Sequence, residues 1–118
     1  YAEACNELGE SREALDKLEM VRARARRTVH PADMTVGLPE ITETGKEKLR
    51  EIIWNERRIE LALEGHRFFD LIRADKMVPG YAEKMMKAHG KTNFSIAKHA
   101  TFFIPQKQVD ISQGVLKN

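Results

Sequence analysis

The sequence predicts an all-α chain: a helical hairpin packed on a central buried helix, then short C-terminal helices and an extended tail. Three observations predict it. Ala14, Leu15, Leu18, Val21 and Ala25 recur at helical spacing and make one apolar stripe. Leu49, Ile52, Ile53, Ile59 and Leu63 do the same in the middle of the chain. Tyr81, Met85, Ala88 and His89 repeat the spacing a third time.

Taken in order, residues 1–8 read as the end of a helix stopped by Gly9, and Ser11 caps the next. The pattern Tyr1-Ala2-Glu3-Ala4, Leu8-Gly9 and Ala14-Leu15 resembles one tetratricopeptide-type repeat over residues 1–27. A single repeat cannot bury both its faces, so further packing partners are expected, before Tyr1. Residues 28–44 carry His30-Pro31, Gly37 and Leu38-Pro39 without a helical period and read as a loop. Thr44 and Glu47 have the spacing of a capping box, which predicts a helix running to about Glu64. Gly65 marks a break, and a fourth helix is expected from His66 to about Asp75, so that signature helices occupy residues 45–75. Pro79-Gly80 is a turn, and a fifth helix ends at Gly90. Residues 91–100 read as irregular and residues 101–104 as extended. Pro105 opens a short helix to Asp110. The terminal segment, residues 101–118, ends in a loose tail from Ser112.

Composition narrows the function classes. The chain has 118 residues, 42% hydrophobic and 32% charged, which suits a folded core. A net charge of +2, from 20 basic and 18 acidic residues, gives no global attraction to nucleic acid. Cys5 is the single cysteine, so neither an internal disulfide nor a cysteine zinc site is expected. No basic segment leads into an apolar run, and no apolar stretch approaches the roughly 20 residues that span a bilayer. Starting at Tyr1 without such signals, the sequence reads as part of something longer.

The central helix is the informative element. With about 100° per residue, Ile52, Ile53, Ile59 and Leu63 fall within roughly 80° of Leu49, and Glu56 and Glu60 within roughly 20°. Trp54 and Leu61 lie on the other flank, so the helix is expected to be buried with both acids inside. An unpaired buried carboxylate costs several kcal/mol, roughly, so partners are required. The favoured partners are arginines: Arg57, Arg58, Arg67 and Arg73 nearby, or Arg22, Arg24, Arg26 and Arg27 on the second helix. A carboxylate metal centre fits poorly, because Glu64 precedes His66 by two residues and not three. A glycosidase pair fits the roughly 6 Å spacing of one helical turn but not a core-facing position.

The run Glu56-Arg57-Arg58, Glu60-Leu61-Ala62, Glu64-Gly65, Arg67-Phe68-Phe69-Asp70-Leu71 and Arg73 resembles the E-R-R-x-E-L-A-x-E-G-x-R-x-x-D-L-x-R signature near the C-terminus of SusD/RagB proteins. Leu18 to Ala25 is similar to the family's last tetratricopeptide helix. Phe103-Ile104-Pro105-Gln106-Lys107-Gln108-Val109-Asp110 resembles its terminal F-P-I-P-x-x-E-I-D segment, and Leu116-Lys117-Asn118 the L-x-Q-N that follows. Departures are local: Phe103 stands where proline is frequent, Gly114 where proline is usual, and Ala74-Asp75 replaces an aromatic residue. The usual N-P-G ending is absent.

The resemblance covers nearly the whole chain and the last part of a typical member. It implies a non-catalytic, cofactor-free glycan-binding lipoprotein on the outward face of the outer membrane, for nutrient uptake. A lipid anchor would lie on an N-terminal part. The implied partners are a SusC-like TonB-dependent transporter and an oligosaccharide or polysaccharide, with no nucleic acid. The family's ligand sites lie mostly ahead of the signature, so no binding residue is carried over. The signature residues Glu56, Arg57, Arg58, Glu60, Glu64, Gly65, Arg67, Asp70 and Arg73 are expected to hold the fold.

Competing readings are a tetratricopeptide adaptor that binds protein, from the first hairpin, and a carboxylate-dependent glycoside hydrolase. Arg22, Arg24, Arg26 and Arg27 form a basic cluster that reads as helix-end cations pairing with Glu56 or Glu60 in preference to a phosphate site. His30, His66, His89 and His99 are too scattered for a metal cluster. Phe68, Phe69, Leu71 and Ile72 read as core, Trp54 as packing, and Tyr81 as the most exposed aromatic residue.

Overall fold

A computed structural model describes residues 1–29 and 38–117, with the side chains of residues 27–29 not included. His30, Pro31, Gly37 and Asn118, and the Arg27 side chain, therefore lie outside the described residues. The described residues form seven helices and no strand, the all-α class expected. They fall into two compact units, Tyr1–Leu63 and Glu64–Asn118.

The first unit holds α1 (Ala2–Leu8), α2 (Ser11–Val29) and α3 (Lys46–Glu60). Gly9 ends α1 with φ +86°, a left-handed conformation that suits glycine. Its N–H donates to the Asn6 carbonyl at 3.1 Å, and that of Glu10 to Cys5 at 2.9 Å, the bond pair of a Schellman motif. The chain thus reverses in two residues, and α1 packs along α2. Cys5, Ala14, Leu18, Leu49 and Ile53 make the core, with Ala2, Leu15, Ile41 and Ile52 around it.

Polar groups fasten the same three helices. Asn6 is fully buried, and its Nδ2 donates to the Lys46 carbonyl at the start of α3, at 2.9 Å. The Arg50 guanidinium grips Glu7 through two bonds of 2.6 and 2.7 Å. The Trp54 indole N–H donates to Glu3 at 2.7 Å. Asn6, Glu7 and Glu3 therefore meet α3 in the order Lys46, Arg50, Trp54, which sets α1 and α3 antiparallel.

Two expected boundaries are corrected. The cap of α3 is not the Thr44–Glu47 box: Gly45 is its N-cap, and the Gly45 amide donates to Glu43 at 2.7 Å. The Glu43 carboxylate reaches forward over two residues to satisfy that N-cap amide, while the Thr44 carbonyl accepts the Ser11 hydroxyl at 3.2 Å. The helix also stops at Glu60 and not near Glu64. Leu63 and Gly65 both take positive φ, 69° and 77°, which no α-helix continues.

The second unit holds α4 (Arg67–Met77), α5 (Tyr81–Ala88), α6 (Ile96–His99) and α7 (Gln106–Ile111). Leu71, Ala74 and Ala82 are its buried apolar residues. Phe68 and Phe94 meet edge to face at 6.4 Å, and Phe94 stacks on His99 at 5.4 Å. Phe69 is exposed, contrary to its expected core position, because α4 turns it away from Leu71 and Ala74. The segment read as irregular contains the single turn α6, whose first amide, of Ile96, donates to Glu83 at 3.1 Å. Residues 112–116 form a turn and are not loose: Ser112 Oγ donates to the Val109 carbonyl at 2.7 Å and accepts from the Leu116 amide at 3.0 Å.

Asp75 performs a similar service for α5, accepting from the amide of fully buried Ala82 at 2.8 Å. Asp75→Ala should cost about 1 kcal/mol, the usual loss of a capping acceptor. Amide exchange at Ala82 checks it directly. Exchange should speed up in Asp75→Ala and stay near the parent rate in Asp75→Asn, which keeps an acceptor.

Candidate functional site

The charged residues of the central helix part company in the structure. On α2 the inward positions run Ala14, Leu18, Arg22 and Arg26, each four residues after the last and all buried. The stripe is apolar at one end and cationic at the other. Opposite the cationic end stands Glu56. Arg22 Nη1 donates to Glu56 Oε2 at 2.6 Å, with side chains only 10% and 11% exposed. Arg22 Nη2 also donates to the Pro39 carbonyl at 2.9 Å, and Arg26 Nη1 to that of Leu38 at 2.7 Å. Arg26 pairs with Glu19 as well. One pair of arginines thus binds α2 to α3 and to the chain entering α3.

Glu60 departs from the expectation. It pairs with Arg24, but these side chains are 36% and 61% exposed. Ile59 and Leu63, expected in the stripe, are exposed too. Among the described residues, α1 reaches α3 through Lys46, Arg50 and Trp54, and Ile59, Glu60 and Leu63 lie beyond these contacts, in the last turn of α3 and the segment after it.

The remaining signature residues are scattered. Arg57 and Arg58 are exposed, with Arg58 Nε donating to Asn55 at 3.2 Å. Glu64 and Gly65 are exposed in the turn that follows α3. In the second unit Arg67 is half-buried and Arg73 lies 3.6 Å from Asp70. The arginine partners of Glu56 and Glu60 come from α2, not from this neighbouring set.

This geometry bears on catalysis. A substrate approaching Glu56 would have to displace Arg22, and the carboxylate sits inside the helix packing. The edge of Glu56 lines an open, mostly apolar groove of about 430 Å³ framed by α1, α2 and α3, which Glu60 lines as well. Tyr1, Leu18, Met20, Val21, Ile53 and Leu61 contribute to its walls. Trp54 is buried, so its ring offers no face for stacking, and Tyr81 is half-buried. The exposed aromatic side chains are Tyr1, Phe69, Phe102 and Phe103.

Cys5, Glu10 and Glu13 bring possible ligand atoms within 4.8 Å of one another. Burial pushes the Cys5 thiol up from its ordinary pKa, and the Glu13 and Glu10 charges add to the effect. A protonated thiol is a poor metal ligand. Tyr1 donates its hydroxyl to Glu13 at 2.6 Å, which pushes the phenol up to about 12. The described histidines, His66, His89 and His99, are exposed and belong to no such group.

The polar seam between α1 and α3 escaped the sequence reading. Glu3, Asn6 and Glu7 look like an ordinary solvated face until α3 is placed over them. Their signal is the spacing of three and four residues on one face. The Arg50 fork holds Glu7 below the usual carboxylate range, with Lys46 adding at 3.5 Å. A depressed folded pKa means that Glu7 stabilises the fold above its ordinary value of 4.5 and loses that contribution as pH falls through the folded value. Glu43, lowered chiefly by the Gly45 amide, acts in the same direction. Glu7→Gln should therefore be less stable at neutral pH and show a shallower acid limb below about 4.5. Urea midpoints measured from pH 3 to 7, roughly, would test this; parallel curves for both proteins would refute it.

The family model described as the SusD family matches residues 1–118. A SusD-like protein P38 from Formosa agariphila is 37% identical over 78 residues. That match covers 65% of this chain and 15% of the relative, so the chain spans a small part of the relative's length. No solved structure matches. Among the described residues no helix is long and apolar enough to cross a membrane.

Proposed function

This chain belongs to the SusD family, and we propose that it forms the C-terminal portion of a glycan-binding protein for nutrient uptake at the outer-membrane surface. The family match over residues 1–118 is the observation that carries the reading. On it the protein binds glycan without cleaving it. It is anchored as an outward-facing lipoprotein and partners a SusC-like TonB-dependent transporter. Residues 1–27 serve as a tetratricopeptide-like hairpin, residues 45–75 as the signature helices and residues 101–118 as the terminal segment.

The placement of Glu56 supports a binding role over hydrolysis. Glu56 lines the groove between the helices, but its carboxylate is committed to Arg22, where a catalytic acid or base would need to be free for substrate. The signature then supports the fold, and glycan contacts come from elsewhere in the protein.

A glycan array probed with the intact protein, beside residues 1–118 alone, tests the proposal. The intact protein should retain at least one glycan class, release no reducing ends from it, and co-purify with a TonB-dependent transporter. An empty array together with transporter-free purification would overturn it. Turnover abolished by Glu60→Gln, with the fold intact, would install the hydrolase reading instead.

A further inference from the structure

We draw no further inference here: the strongest candidate, the apolar groove framed by α1, α2 and α3 around Tyr1, Met20, Val21 and Leu61, is an unpartnered face, and nothing in the structure shows what covers it.

Discussion

Glu56→Ala should destabilise the first helical unit by about 3 kcal/mol, the lower end of the cost of breaking a buried ion pair. The low end applies because each partner keeps about a tenth of its side chain in water, 10% for Arg22 and 11% for Glu56. The loss comes from what stays behind. Without Glu56, Arg22 keeps its bond to Pro39 but holds a buried cation with no counter-charge, and its Nε already lacks a hydrogen-bond partner. Arg22→Ala should cost at least as much, because it strands the carboxylate and frees residue 39 as well. Glu60→Ala is the internal control. Its pair with Arg24 is exposed, so the loss should stay below about 1 kcal/mol.

Urea unfolding followed by helix content would give the four corners of an Arg22–Glu56 double-mutant cycle. Strong coupling in this cycle beside near-zero coupling for Arg24–Glu60 is the expected pattern. Equal coupling in both would show that burial is not what separates them. A double replacement by apolar residues of similar volume, Arg22→Met with Glu56→Leu, should recover much of the loss, since the desolvation of both charges disappears.

The same two acids show how far the sequence could be read. Periodicity alone placed Glu56 and Glu60 on the apolar face of one helix, and for Glu56 that is where the structure puts it. A helix wheel records angle but not how far a neighbour extends along the axis. Glu60, Ile59 and Leu63 have the right angle but are exposed, beyond the α3 positions that α1 contacts. The stop of α1 at Gly9 was legible, but its registry against α3 was not. That registry depends on Asn6 meeting the Lys46 carbonyl and Glu7 meeting Arg50, contacts separated by 40 and 43 residues.

Caps were misread for a related reason. Thr44 and Glu47 have the right spacing, but the N-cap is one residue later, at Gly45, whose amide donates to Glu43. Asp75 and Glu83 cap helices other than their own, which no local pattern announces. The second unit was harder to read, because its apolar face is thin. Leu71, Ala74 and Ala82 are buried while Phe69, Phe102 and Phe103 are not, so residue size is a poor guide to which side chains lie inside.

Leu49→Ala should be the most damaging apolar substitution, at about 3–5 kcal/mol, in the upper part of the range for buried leucine. Leu49 has no exposed surface and is among the largest fully buried side chains. Its cluster partners come from all three helices: Cys5 from α1, Ala14 and Leu18 from α2, and Ile53 from α3. Two of these, Cys5 and Ala14, are small and cannot lengthen to fill the space, so the cavity persists.

The loss should also be uneven. Most helical stability in a protein comes from packing, and α1 packs on the core it shares with α2 and α3. Emptying the Leu49 site removes the common contact of α1 and α2, and α1 should loosen first. Cys5 reports this, because its thiol is buried and its pKa is raised. In Leu49→Ala the thiol should react with a disulfide reagent many times faster than in the parent, at urea concentrations that leave the remaining helices intact. Leu49→Met, which conserves volume, should cost less than about 1.5 kcal/mol and leave the thiol slow. Equal thiol rates in the parent and Leu49→Ala would mean that α1 is held by its polar seam alone, through Glu3, Asn6 and Glu7.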